Sequence, residues 1–224
     1  MGQVVGELLP LAVGVAISPV PIIAVILMLL APKAGGTSAG FAVGWVLGIA
    51  GATTVFLLLA GTLDQGSDAE PSTTVSWIKL VLGVLLLVLA VGQWRGRPAP
   101  GEEPAMPSWM SAIDRFTAVK ALGLGILLSA VNPKNLLMCV AAGTTIGGAG
   151  LSGGQDVWSV VVFTVLAAST VAIPVVGYAV ARTRMAGPLE HLRGWLTTHS
   201  AAVMATLLLV IGVLLLGKGL GGLL

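Results

Sequence analysis

Six apolar stretches with almost nothing charged inside them constrain this chain more than any other feature. They run from about Val4 to Ala31, Gly40 to Leu63, Val75 to Gln93, Thr117 to Ile146, Val157 to Ala181 and Ala201 to Leu216. About 20 apolar residues carry a helix across the hydrocarbon core of a bilayer. Of the 224 residues, 56% are hydrophobic and 9% charged, whereas a soluble domain carries about a quarter charged residues. So few charges cannot cover a water-facing surface, so the bilayer is the solvent. The pattern predicts an all-α polytopic membrane protein with six transmembrane helices and no soluble domain. A net charge of +2 and the lack of any basic run exclude nucleic acid as a partner.

Two of the six stretches are interrupted. The first breaks at Ser18-Pro19-Val20-Pro21 and the fourth at Asn132-Pro133-Lys134-Asn135. Proline removes a backbone donor and clashes with the preceding turn, so a helix must kink or restart there. Ser18 and Asn132 suit N-caps, and Pro19 and Pro133 suit the first position of a new helix. The breaks lie 114 residues apart, close to half the chain. Each half then has three crossings with the break in its first, and three is odd, so the second half enters from the opposite side. We read two inverted three-helix repeats, residues 1–95 and 117–224, joined by a cytoplasmic linker at 96–116. This is the plan of many secondary transporters. Within the linker, Trp109, Met110, Ile113 and Phe116 follow Ser108 on one helical face and predict a short interfacial helix. Gly40, Gly44, Gly48 and Ala52 recur every four residues and predict a close helix–helix contact.

Lysine and arginine counts near helix ends set the orientation. Lys33 follows the first stretch, Arg95, Arg97 and Arg115 lie between the third and fourth with Lys120 at the start of the fourth, and Arg182, Arg184 and Arg193 follow the fifth. The loops after the second and fourth stretches hold no basic residue before Lys79. Odd loops are therefore predicted cytoplasmic and both termini extracytoplasmic. No basic residue precedes Lys33, so we expect the N-terminal stretch to be a mature helix rather than a signal peptide.

Restarted helices present unpaired N–H groups and a partial positive charge, which suits anions. Inverted symmetry would carry both starts toward the membrane midplane, where irregular backbone survives only inside protein or beside a wet cavity. Lys134 adds a full charge. It lies fourteen residues beyond Lys120, about 21 Å along a helix, too deep for its stem to reach the interface. An ionisable group at that depth points to function, although a lysine that bonds the free carbonyls of a break is the competing reading. The candidate substrate-binding residues are Lys134, Asn132, Asn135, Ser18, Pro19 and Pro133. Thr53, Thr54, Ser169 and Thr170 fall at middle depth and are expected to bond back to their own helices.

No acid–base pair, nucleophile–base pair or metal cluster stands out, so we expect no enzyme, no metal and no cofactor. Glu7 lies near the end of the first stretch, and His191 and His199 lie at helix ends. The single cysteine, Cys139, excludes an internal disulfide or a CxxC pair and reads as a small buried hydrophobe.

The Asn132-Pro133-Lys134 break in the fourth of six helices resembles that of the lysine exporter superfamily. Within it, Ala16-Ile17-Ser18-Pro19-Val20-Pro21 and the small size resemble the actinobacterial group of glycopeptidolipid- and sulfolipid-addressing (GAP/Sap) proteins. That resemblance implies a bacterial inner-membrane protein that moves envelope glycolipids, alone or beside a larger lipid exporter. The leading expectation is a transporter or export accessory for an anionic lipid, its headgroup held by the two helix starts and Lys134. A small-solute exporter for amino acids or organic anions is one alternative. The other is a non-transporting scaffold that stabilises a partner exporter or synthase, with the Gly40–Ala52 face and the Trp109 region as partner surfaces; a larger lipid exporter and a second copy of the chain are the expected protein partners.

Overall fold

A computed structural model describes residues 1–31, 34–63, 73–97 and 108–223. Every regular element among them is a helix. They are α1 (Gly2–Ala16), α2 (Pro19–Leu30), α3 (Ala34–Leu63), α4 (Thr73–Arg95), a 3₁₀ turn (Ser108–Arg115), α5 (Ala118–Ile126), a π turn (Leu127–Val131), α6 (Pro133–Gly147) and α7 (Gly153–Gly221). Three helices, Ala34–Gly61, Thr73–Arg95 and Gly153–Gly221, are long and apolar enough to cross a membrane. Two bent pairs qualify together, α1 with α2 at 54° and Ala118–Val131 with α6 at 63°. The protein is thus a multi-pass helical membrane protein, with broken helices where Pro19 and Pro133 predict them.

The residues expected to separate the fifth and sixth stretches are not a loop. Residues 182–197 are helical, and α7 runs on for 69 residues with one non-helical pair of dihedrals, at Ala181 (φ −138°, ψ 53°). This departure comes seven residues after Pro174, a proline inside the helix. Along a straight helix Ser159 and Lys218 would stand about 89 Å apart. Yet Ser159 Oγ lies 3.9 Å from Met1 Sδ and Lys218 Nζ lies 3.1 Å from Glu7. Both limbs flank α1, so α7 doubles back. Its first limb runs parallel to α1, with Thr170 against Ala16, and its second runs antiparallel, with Ile211 against Gly14.

Close helix contacts follow the small residues. A methyl group at Gly40 or Gly44 would overlap the carbonyl of Ala118 or Leu122, and one at Gly48 would overlap the Ser129 side chain. The four-residue glycine repeat therefore seats α3 directly on α5, in parallel. This face is filled from within, so it is not the partner surface considered above. Gly143 and Gly147 extend the contact, α6 lying on Thr53, Leu57 and Ala60. Gly83, Gly212 and Gly219 bring α4 against the second limb of α7 in antiparallel fashion. Phe41, Trp45, Ile26, Met28 and Met138 fill the core between these helices.

The linker helix differs from expectation. It is a 3₁₀ turn, and Met110 and Ile113 are buried against the protein core rather than laid in lipid. The side chains of Ser108 and Trp109 lie outside the described residues, as do Lys33, Asp64 and the linker acids Glu102 and Glu103.

Candidate functional site

The two breaks meet. Each begins with a bookkeeping problem set by proline. In a continuous helix residue 21 would donate to the carbonyl of residue 17, but Pro21 has no N–H. Lys134 Nζ donates to the Ile17 carbonyl instead, at 3.2 Å, and to Ser18 Oγ at 2.8 Å. The neighbouring Ala16 carbonyl accepts from Thr170 Oγ1 at 2.6 Å. So α6 and α7 supply the donors that the first break has lost.

The second break is built from a wider turn. Asn132 N–H reaches back five residues to the Leu127 carbonyl at 3.2 Å, closing the π turn. That leaves the Leu128 carbonyl free, and Asn135 Nδ2 donates to it at 2.8 Å. The same amide's Oδ1 accepts from Ser18 Oγ at 3.1 Å. Ser129 Oγ bonds to the Gly125 and Ile126 carbonyls. One chain of hydrogen bonds therefore runs from the α1 carboxyl end through Lys134, Ser18 and Asn135 to the π turn. Its members are buried, Ser18 at 2%, Lys134 at 3% and Asn135 at 1% exposed.

The six sequence candidates divide by role. Lys134, Asn135 and Ser18 touch one another. Asn132 caps its own helix, its Oδ1 accepting from Lys134 N–H at 3.2 Å. Ser18 occupies the corresponding cap position but makes no cap bond, because its hydroxyl is committed across the interface. Pro19 and Pro133 open α2 and α6, Pro19 buried and Pro133 exposed. Lys134 does what the structural reading of a buried lysine requires. An ammonium carries three donors, and two of these have protein partners.

Thr170 belongs to the site and was expected to bond only to its own helix. Nothing local marks it, because its acceptor lies 154 residues away in sequence. Ser169 beside it does bond back, to Leu166. Thr54 is exposed, and Thr53 is buried without a bond to its own helix. Cys139 is buried and free. Among the described residues no group of three or more His, Cys, Asp or Glu could hold a metal ion.

Paired broken helices around a buried polar centre define the class, a multi-pass helical membrane protein with an irregular core. The chain belongs to the Sap family: the family model described as Sap, sulfolipid-1-addressing protein, matches residues 8–221. No curated protein and no solved structure is similar to it.

Proposed function

We propose that this protein exports an anionic amphiphile, or assists a larger exporter to do so, and is not an enzyme. In this reading the acidic headgroup is held where the two breaks meet, at Lys134, Asn132, Asn135, Ser18 and the helix starts at Pro19 and Pro133. The observation that carries it is Lys134, a buried amine with one donor more, when charged, than the protein uses at the break. An anion is the partner that completes it, and the start of α6 beside it favours negative charge. Membership of a family described as sulfolipid-addressing supports lipid as the cargo. So does the rim of the second break, where Leu127, Val131 and Pro133 are exposed on the outer surface of the bundle. A headgroup can approach that rim while its tails stay in the bilayer. The geometry thus favours an amphiphile over a small organic anion.

The crossing directions support six spans in two inverted repeats. α1 runs antiparallel to α6, with Gly14 against Met138 and Ile17 against Lys134, as an inverted pair requires. The doubling back of α7 supplies the fifth and sixth spans. In this reading the breaks lie near the midplane, the starts of α3 and α5 face the cytoplasm, and both termini face outward from the inner membrane. The Asn-Pro-Lys element keeps placement in the lysine exporter superfamily as part of the proposal.

Native mass spectrometry of the purified protein tests the assignment. A bound acidic lipid should accompany the wild type and be lost from folded Lys134→Met. Equal retention by both proteins would falsify the site.

A further inference from the structure

At the end of the bundle away from the α3 and α5 starts, three charged side chains from three helices converge. Glu7 of α1 lies between Lys79 of α4, at 3.5 Å, and Lys218 of α7, at 3.1 Å. Both ammonium groups face the same carboxylate oxygen, Oε2. Among the described residues, two positive charges here face one negative charge. The three side chains keep between 16% and 35% of their surface, so they are neither free in solvent nor sealed. Beside them is a cavity walled by Glu7, Lys218, Leu11, Ile211 and Thr145 of α6. Its free volume is about 10 Å³, at the lower limit for one water.

Thr145 makes the cluster more than an ion lattice. It is 7% exposed and lines this cavity. Its neighbour Thr144 bonds back to Val140 and Ala141 in the usual manner, but the Thr145 hydroxyl has no hydrogen-bond partner among the described residues. The hydroxyl is not among the fully enclosed polar atoms that lack a partner, so it keeps some open surface and is free to donate to a bound acceptor. Two ammonium groups on one carboxylate oxygen make a receptor for an oxyanion, with Thr145 in the wall of the adjoining cavity, and here the protein's own carboxylate is its occupant.

We propose that Lys79, Lys218 and Thr145 form a second anion site, which a sulfate or phosphate monoester takes when Glu7 swings aside. Glu7 is its resident competitor. The site's role as an exit station rests on the export reading; its affinity for an oxyanion does not. The site stands apart from the Lys134 cluster, about ten residues or 15 Å along α1 from Ile17.

The test uses the full chain in non-ionic detergent, titrated with sodium sulfate at ionic strength held constant by sodium chloride, with calorimetry as the readout. Glu7→Gln removes the competitor and should tighten sulfate binding by about tenfold, through charge-assisted hydrogen bonds that the lysines then give to sulfate. Adding Lys79→Met and Lys218→Met to it should abolish the gain, and adding Thr145→Val should reduce it. The gain should persist in a Lys134→Met background, which separates this site from the central one. No gain in Glu7→Gln, a gain that survives loss of both lysines, or a gain lost with Lys134 would each overturn the proposal. Should Glu7→Gln not fold, the wild type decides. Sulfate must then slow acetylation of Lys79 and Lys218 relative to chloride, and equal rates would reject the site.

Discussion

Lys134 can be structural and functional at once, and the two roles are separable at single residues. Its bond to the Ile17 carbonyl exists because Pro21 has no N–H to give. Pro21→Ala returns an N–H to residue 21, which serves that carbonyl once α1 and α2 straighten across Ser18. The stability cost of Lys134→Met, about 1–2 kcal/mol for hydrogen bonds inside a membrane bundle, should therefore shrink in the Pro21→Ala background. Loss of the bound acidic lipid should not. A double-mutant cycle in mixed-micelle unfolding measures the first, and mass spectrometry the second. An undiminished cost would show that the amine does not replace the proline's missing donor. Thr170→Val keeps the shape and removes the donor to Ala16. It should cost about 0.6–1.7 kcal/mol in the same unfolding assay, whereas Ser169→Ala, which loses only a bond within its own helix, should be close to neutral. The prolines, Asn132 and Lys134 were legible in sequence because each breaks a local rule in apolar surroundings. Thr170 was not, since a mid-membrane threonine obeys every local rule and its partner is set by tertiary contact. Nor was the bond from Asn135 to the Leu128 carbonyl, which exists only because the preceding turn is π rather than α.

Helix elements here are placed by absent side chains as much as by present ones. The i+4 repeat of Gly40, Gly44 and Gly48 predicts a contact face, and α5 occupies it. What the repeat could not tell is which helix fills it, or that Gly51 and Gly61, equally glycine, face open space. That difference makes a matched test. Gly44→Ala puts a methyl group into the Leu122 backbone, which cannot rotate away, and should destabilise by about 1–3 kcal/mol as overpacking does. Gly51→Ala meets nothing within 4 Å and should be neutral or stabilising by up to about 1 kcal/mol, the helix-propensity gain. Thermal unfolding in detergent compares the two, and equal effects would mean that α3 and α5 are not in contact. The length of α7 shows the opposite weakness of sequence reading. Residues 182–197 are polar, and polarity suggested a loop. They also hold three Arg and three Leu, good helix formers, and the helix continues through Gly187 and Pro188.

At the scale of the whole molecule, everything depends on α7 reversing. Read as one straight rod it would be about 104 Å long, more than twice a bilayer with its headgroups. The contacts of Met1 with Ser159 and Glu7 with Lys218 return both of its ends to the start of α1. Arg182, at the turn, shares a cavity with Ala34, Thr117 and Ala118 at the other end of the bundle. The six-span reading therefore puts residues 152 and 223 on one side of the membrane and 184 on the other. Single cysteines at Ser152, Leu223 and Arg184, in a Cys139→Ala background, put this to the test in intact cells. A membrane-impermeant maleimide should label the cysteines at 152 and 223 and spare the one at 184 until the cells are opened. A single crossing by α7 would instead separate 152 from 223. Labelling of 184 alone would leave six spans but reverse them, moving the Glu7 cluster to the cytoplasmic face and making the oxyanion site an entry station rather than an exit.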